Sequence, residues 1–147
     1  LGLTLLAHCD LVLVSETARL RAPFTAMGVV PEAASSYLLP RRMGFQRAVE
    51  ALLTSDWISA GDAVDSGLAL RAYPPDQLLL AAIALGQKIA AHPDASVRGT
   101  KALITAARRD AVAEARRREG AAFAEILRAP AMGAAIRGHL ASEKGAR

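Results

Sequence analysis

The stretch APFTAMGVVPEAASSY, residues 22–37, is an apolar loop that holds a single carboxylate. The carboxylate belongs to Glu32, which follows Pro31 and precedes a run of small residues. Burial in an apolar loop raises the pKa of a carboxyl group and suits the group to proton transfer near neutral pH. An acidic side chain directly after a proline is also typical of a helix start, where it complements the positive end of the helix. The residues alone leave open whether Glu32 is a catalytic base or a helix-opening residue.

The opening LGLTLLAHCDLVLVSE, residues 1–16, leads into this loop. Its pattern predicts a short apolar helix over residues 2–7 and a buried strand over residues 11–15. A second short strand is predicted over residues 19–22, followed directly by the loop.

Downstream of the loop, the sequence predicts helices and one further strand. Pro40 should end the first of these helices, because a proline disfavours helical geometry in the residue before it. In ISAGDAVDSGL, residues 58–68, Ser59 is a good N-cap and Gly67 a good C-terminal stop. The predicted helices cover residues 33–39, 45–53, 60–64, 76–91, 95–108, 110–127 and 130–143, and the predicted strand covers residues 68–72. The pattern becomes entirely helical after Pro74, which predicts a boundary between a mixed core and a helical subdomain.

The composition is that of a chain able to bury a real core, with 147 residues of which 52% are hydrophobic. No apolar run reaches the roughly 20 residues that span a bilayer, and no signal-peptide pattern precedes the first strand. Cys9 is a lone cysteine, so we expect a reducing, cytoplasmic location. Because the chain begins with Leu in the middle of an apolar pattern, we also expect a partner half upstream of residue 1.

The formal charge of +4 comes from clustered arginines, including the run Arg116 to Arg118. Nucleic-acid binding is not expected, because no aromatic stacking residues are interleaved with these clusters. Glu114 and Glu119 flank the run, so a solvated helix face is predicted there. The remaining positive potential suits an anionic small molecule. No metal-ligand spacing, nucleophile elbow or phosphate loop is present in the sequence.

Three of these segments, residues 1–16, 22–37 and 58–68, resemble the second half of the catalytic core of the crotonase (enoyl-CoA hydratase/isomerase) superfamily. Within it, PEAASSY is most similar to the Δ3,Δ2-enoyl-CoA isomerase branch. The resemblance implies an α/β (α+β) fold. Residues 1–74 would complete a spiral core of ββα turns, and residues 75–147 would form a helical subdomain that builds trimers and covers the acyl-CoA site.

The resemblance also implies a mechanism. Two backbone N–H groups would hold the thioester carbonyl of the substrate, one at Leu1 beside Gly2 and the other upstream of this sequence. Glu32 would take a proton from C2 and return it to C4. The two glutamates of the hydratase branch match Thr4 and Phe24, so water addition is not expected.

Further binding residues follow from the same resemblance. Phe24, Met27 and Leu38 would line the acyl pocket, although as apolar residues they are equally typical of a core. His139 and Lys144 match positions near the nucleotide end of coenzyme A. The coenzyme A thioester would be the substrate, with no separate cofactor or metal, and the assembly would be a homotrimer or a dimer of trimers.

Two other functions stay open at this point. The chain would be a non-catalytic acyl-CoA-binding or assembly module if it had kept the fold without the chemistry. It would be an enoyl-CoA hydratase if Glu32 alone drove hydration.

Overall fold

The structure, a computed structural model, describes residues 2–128, which alternate between helices and short strands. The helices are α1 (Gly2–Leu6), α2 (Ser35–Met43), α3 (Phe45–Thr54), α4 (Ala60–Asp65), α5 (Leu78–Ala90), α6 (Asp94–Ala106) and α7 (Arg109–Leu127). The strands are β1 (Leu13–Ser15), β2 (Arg19–Leu20), β3 (Ile58–Ser59) and β4 (Arg71–Tyr73). This mixed order confirms the predicted α/β class. The helix predicted over residues 130–143 lies outside the described residues.

The strands form two small pairs that fix the course of the chain. β1 pairs in parallel with β4, with Leu13 opposite Arg71, and β2 pairs antiparallel with β3, with Leu20 opposite Ile58. Parallel strands require a long crossover connection, and here that connection runs from β2 through α4. The loop that carries Glu32 is part of this crossover.

The buried apolar side chains come mainly from residues 3–69. Leu39 and Leu68 are both fully buried, and α7 returns to this core through Ala115. α7 also packs along α2. The C-terminal helix of the described chain is therefore in contact with the element that follows the Glu32 loop. The boundary predicted near residue 74 stays a prediction.

The helix α2 continues through Pro40, and the prediction that Pro40 ends it is wrong. An interior proline costs a helix about 3 kcal/mol, because it removes one backbone hydrogen bond and clashes with the preceding turn. Met43, in the last turn, is only 6% exposed, and burying such a side chain contributes roughly 1.5–3 kcal/mol. The free energy gained by burying Met43 beyond the proline is thus of the same order as the free energy that Pro40 costs the helix.

The short helix α4 is capped as its sequence predicts. The Ser59 hydroxyl accepts the N–H of Asp62 at 3.1 Å and donates to the Asp62 carboxylate at 2.6 Å. That bond from Ser59 lowers the pKa of Asp62. Gly67 ends the turn with φ +79°, where a Cβ would lie 3.0 Å from the carbonyl oxygen of Arg42. Both the left-handed backbone and the close approach therefore require glycine at this position.

Candidate active site

Glu32 lies on the loop between β2 and α2, and its side chain is exposed in the described chain. The burial predicted for this carboxylate is therefore not found within residues 2–128. Its carbonyl oxygen accepts the N–H of Ser35 at 3.0 Å and the hydroxyl of Ser35 at 2.6 Å. No acidic residue lies in the first turn of α2, which begins at Ser35. The helix-opening interpretation of Glu32 is thus wrong, and the carboxylate projects from a turn ahead of the helix.

The two residues after Glu32 adopt a left-handed backbone. Ala33 has φ +57° and Ala34 has φ +58°, a conformation that costs an L-residue with a side chain roughly 1–2 kcal/mol. Two such residues in succession persist only where neighbouring groups hold them. The structure supplies those groups from α1 and from α7.

From the α1 side, His8 contacts the loop. The Nε2 atom of His8 donates to the carbonyl oxygen of Ala33 over 2.6 Å. This contact gives His8 a structural role, in which it holds the first residue of the left-handed pair.

From the α7 side, the loop is held by a carboxylate that is only 7% exposed, that of Glu119. Its Oε2 atom accepts the N–H of Ala34 at 2.6 Å. Its Oε1 atom accepts the N–H of Ser36 at 2.9 Å and the hydroxyl of Ser36 at 2.6 Å. The carboxylate therefore has partners at both oxygens, as a buried charge requires.

The predicted solvated helix face is correct for Glu114 and wrong for Glu119. Glu114 is paired on the surface with Arg117 and Arg118. Glu119 lies four residues after Ala115 and four before Phe123, both of which pack in the core. This helical spacing is the sequence signal that places Glu119 on the buried face of α7. The prediction missed it because it considered only the number of charges in EARRREG, residues 114–120.

A cavity of about 430 Å³ opens beside Glu32. Glu32 and Ala33 form one side, and the helix α7 forms the other through Phe123 and Leu127. Arg116 and Glu119 also reach the cavity. The arrangement places an exposed carboxylate beside a space with one apolar wall, and a carboxylate in such a position is able to take a proton from an apolar substrate.

The other predicted site residues divide into three groups. Phe24 and Leu38 lie in the hydrophobic core and Met27 packs against it, so the core interpretation of these residues is confirmed while their contact with an acyl chain stays a prediction. Gly2 is exposed at the start of α1. The remaining positions are outside the described residues: Leu1, His139 and Lys144.

The two positions that the resemblance sets against the hydratase glutamates, Thr4 and Phe24, are both buried. Thr4 is 3% exposed on α1, and Phe24 is 7% exposed. Neither side chain is a carboxylate.

A second, larger cavity of about 650 Å³ lies beside α6, and its lining includes the basic side chains of Arg42, Lys101 and Arg108. Asp10 pairs there with Lys101 at 2.7 Å and with Arg108 at 3.8 Å. The hydrogen bond from Lys101 lowers the pKa of Asp10. Within residues 2–128, no group of three or more histidine, cysteine, aspartate or glutamate side chains is placed to hold a metal ion. None of the helices in that range is both long and apolar enough to cross a membrane.

Comparison with known proteins identifies the family. A family model described as "Enoyl-CoA hydratase/isomerase" matches residues 2–140. The crystal structure of an enoyl-CoA hydratase/isomerase from Pseudoalteromonas atlantica T6c superposes with a TM-score of 0.87 at 36% identity, and the match covers 99% of this chain and 57% of that one. The chain therefore belongs to the enoyl-CoA hydratase/isomerase family.

Relatives that are named hydratases and relatives that are named isomerases are both similar to the chain. A "Probable enoyl-CoA hydratase" from Rhizobium meliloti is 37% identical over 89 residues, which cover 60% of this chain and 35% of that protein. "Enoyl-CoA delta isomerase 2" from Rattus norvegicus is 38% identical over 74 residues, which cover 50% of this chain and 19% of that protein. The chain thus matches less than half the length of these two relatives.

Proposed function

We propose that this chain is the second half of the catalytic core of an enoyl-CoA isomerase, which shifts the double bond of a 3-enoyl-CoA to the 2-position. The observation that carries the proposal is the distribution of carboxylates. Glu32 lies at the rim of a cavity, whereas Thr4 and Phe24 replace both glutamates that the hydratase branch uses. The name of the Rattus norvegicus relative supports the same activity.

The chemistry needs one base and one oxyanion site. The Glu32 carboxylate takes a proton from C2 of the substrate, and electrons move into the thioester carbonyl to give an enolate. The same carboxyl group then returns the proton at C4, so that the double bond ends between C2 and C3. Backbone N–H groups stabilise the oxyanion, each contributing about 3–4 kcal/mol, and we assign one of them to Leu1.

The exposure of Glu32 suits this role in one respect. A base that serves both C2 and C4 must reach two carbon atoms of one bound substrate, and an exposed side chain has the freedom to turn toward each of them. The loop is fixed at Ala33, Ala34 and Ser36, while the side chain of Glu32 makes no hydrogen bond to any other part of residues 2–128 that would hold it away from the cavity.

Hydration is the second candidate, because several relatives are named enoyl-CoA hydratases. Adding water to a 2-enoyl-CoA requires one group to activate the water and one to deliver a proton to the substrate. With Thr4 and Phe24 in place of both hydratase glutamates, Glu32 would have to perform both steps. We therefore place isomerisation ahead of hydration.

We extend the proposal to the whole protein as follows. The substrate is an acyl-CoA thioester, no separate cofactor takes part, and the assembly is a homotrimer or a dimer of trimers. The basic side chains that line the cavity beside α6 outnumber its one carboxylate, Asp10, and this excess of positive charge suits an anionic thioester. The proposed compartment is the cytoplasm, although relatives from Pongo abelii and Mus musculus are named mitochondrial and peroxisomal.

The test compares two substrates and two variants of the full-length protein. Glu32→Gln should lower kcat for 3-enoyl-CoA isomerisation by roughly 10²–10⁴, because it removes the general base and keeps the size of the side chain. Glu16→Gln, an exposed carboxylate in the turn after β1, is the matched control and should leave kcat unchanged. Near-normal turnover by the Glu32 variant would contradict the assignment of the base.

The wild-type protein should also convert 3-enoyl-CoA faster than it hydrates 2-enoyl-CoA. The products are separated by chromatography and counted as shifted alkene or 3-hydroxyacyl-CoA. A predominance of 3-hydroxyacyl-CoA would favour hydration over isomerisation. No turnover of either substrate would favour a non-catalytic acyl-CoA-binding module.

A further inference from the structure

We infer that Glu119 is the positioning residue for the catalytic base: it holds the loop of Glu32 in one conformation from the opposite side of the cavity. The catalytic part of this inference rests on the proposed function. Its geometric part rests on the contacts between α7 and the loop.

Those contacts are unusually complete for a single side chain. The carboxylate accepts three hydrogen bonds, from the Ala34 N–H, the Ser36 N–H and the Ser36 hydroxyl, over 2.6 to 2.9 Å. Hydrogen bonds to an ionised group are roughly twice as strong as neutral ones. Because Glu119 is 83 to 85 residues away in sequence, these bonds tie the loop to a separate helix rather than to its own turn.

The loop needs such an external acceptor. Ala34 is the N-cap residue of α2, and it has no side chain able to cap the helix. The first N–H groups of a helix have no partner within it, and Ala34 is itself fully buried. Without Glu119 the Ala34 N–H would be buried and unsatisfied, and the left-handed pair at Ala33 and Ala34 would keep only the contact from His8.

The location of Glu119 connects it to the base, Glu32. Glu32 is joined directly to Ala33, so any relaxation of the left-handed pair moves the base. The helix that carries Glu119 also forms the cavity wall through Phe123 and Leu127. One helix thereby sets the distance between the base and the wall that a substrate would touch. A capping residue within the loop itself would stabilise α2 equally well, but it would not fix that distance.

The first arm of the experiment measures steady-state kinetics of the full-length protein. Glu119→Gln preserves the shape of the side chain but turns one acceptor into an NH₂ group that faces N–H donors. We expect kcat to fall by about 10- to 100-fold with KM changed less than about twofold, because a displacement of about 1 Å costs up to 10²-fold in rate. Glu114→Gln, on the exposed face of the same helix, is the matched control and should change neither constant.

The second arm separates positioning from general stability. In the Glu32→Gln background, Glu119→Gln should cause no further loss of kcat, because the base that it positions is already gone. A loss that multiplies with that of Glu32→Gln would show that Glu119 acts independently of the base and would overturn the inference. Ser36→Ala removes only one of the three donors and should give an intermediate kcat, which keeps the test valid if Glu119→Gln folds poorly.

The third arm does not depend on activity. Amide hydrogen exchange at Ala34 and Ser36 should be slow in the wild-type protein and at least about tenfold faster in Glu119→Gln, with exchange in α3 unchanged. Unchanged protection at both amides would overturn the inference.

If the wild-type protein has no isomerase activity, the proposed function fails and exchange alone decides whether Glu119 holds the loop. If the wild-type protein is active and Glu119→Gln retains full kcat, the inference fails while the proposed function stands.

Discussion

At the residue scale, the left-handed pair after Glu32 stores backbone strain that a glycine would release. Ala33 has φ +57°, and glycine reaches this conformation without a steric cost. A glycine also loses more entropy on folding, which removes part of the gain. We expect Ala33→Gly to raise the free energy of unfolding by up to about 1 kcal/mol in chemical denaturation.

The matched control for this substitution is Ala84→Gly, in the exposed interior of α5. It introduces the same entropy cost without relieving strain and should lower the free energy of unfolding by about 1 kcal/mol. Equal destabilisation by both variants would contradict the view that Ala33 is strained.

The same residues show what the sequence can predict about the site. The position of Glu32 follows from its motif, because PEAASSY is contiguous and each residue type is informative. Glu119 cannot be found in this way, because its role depends on a contact made across 83 to 85 residues. Only its helical spacing from Ala115 and Phe123 indicates burial, and a neighbouring run of arginines points to the surface instead. A local pattern is thus enough to predict Glu32 as the base, whereas the contact of Glu119 with the loop can be recognised only in the folded structure.

At the element scale, α2 shows how packing overrides a local stop signal. Leu39 and Met43 are buried on either side of Pro40, so the helix continues past a residue that disfavours it. The helices were predicted from apolar spacing that extends over several turns, and α3, α5 and α7 lie close to their expected ranges. Strands of two or three residues carry no such periodicity, and β4 accordingly begins three residues later than predicted.

Replacement of Pro40 tests the energetic side of this argument. Pro40→Ala restores a backbone N–H inside α2 and removes the clash with the preceding turn. The free energy of unfolding should rise by up to about 3 kcal/mol, measured by urea denaturation. Gln46→Ala, at an exposed position of the next helix, α3, is the control and should have an effect of less than about 0.5 kcal/mol. An unchanged or lower stability for Pro40→Ala would mean that Pro40 itself contributes to the packing of α2 against the core.

At the scale of the whole molecule, α5 has more apolar surface than the described chain covers. Leu85 and Ile89 are half-buried, yet Leu79 and Leu80 on other faces of the helix are about 70% exposed. A helix that is apolar all round is normally buried on all sides. On α6, Leu103 is similarly exposed at 79%. These helices therefore present surface that further protein should cover, as the proposed trimer would.

The proposed assembly predicts a mass and a way to change it. The full-length protein should elute with the mass of three or six chains in size-exclusion chromatography with light scattering. The double variant Leu80→Lys/Ile83→Lys should lower that mass, because each position loses the burial of its exposed share, roughly 1–2 kcal/mol, and gains a charge that an interface cannot solvate. Lys88→Glu, a charge change at an exposed polar position of the same helix, should leave the mass unchanged.

Circular dichroism should show the same helix content for all three proteins, since both substituted side chains are about half or more exposed within one chain. A wild-type protein that elutes as a monomer, or a double variant that keeps the wild-type mass, would mean that this face of α5 is covered from within the same chain.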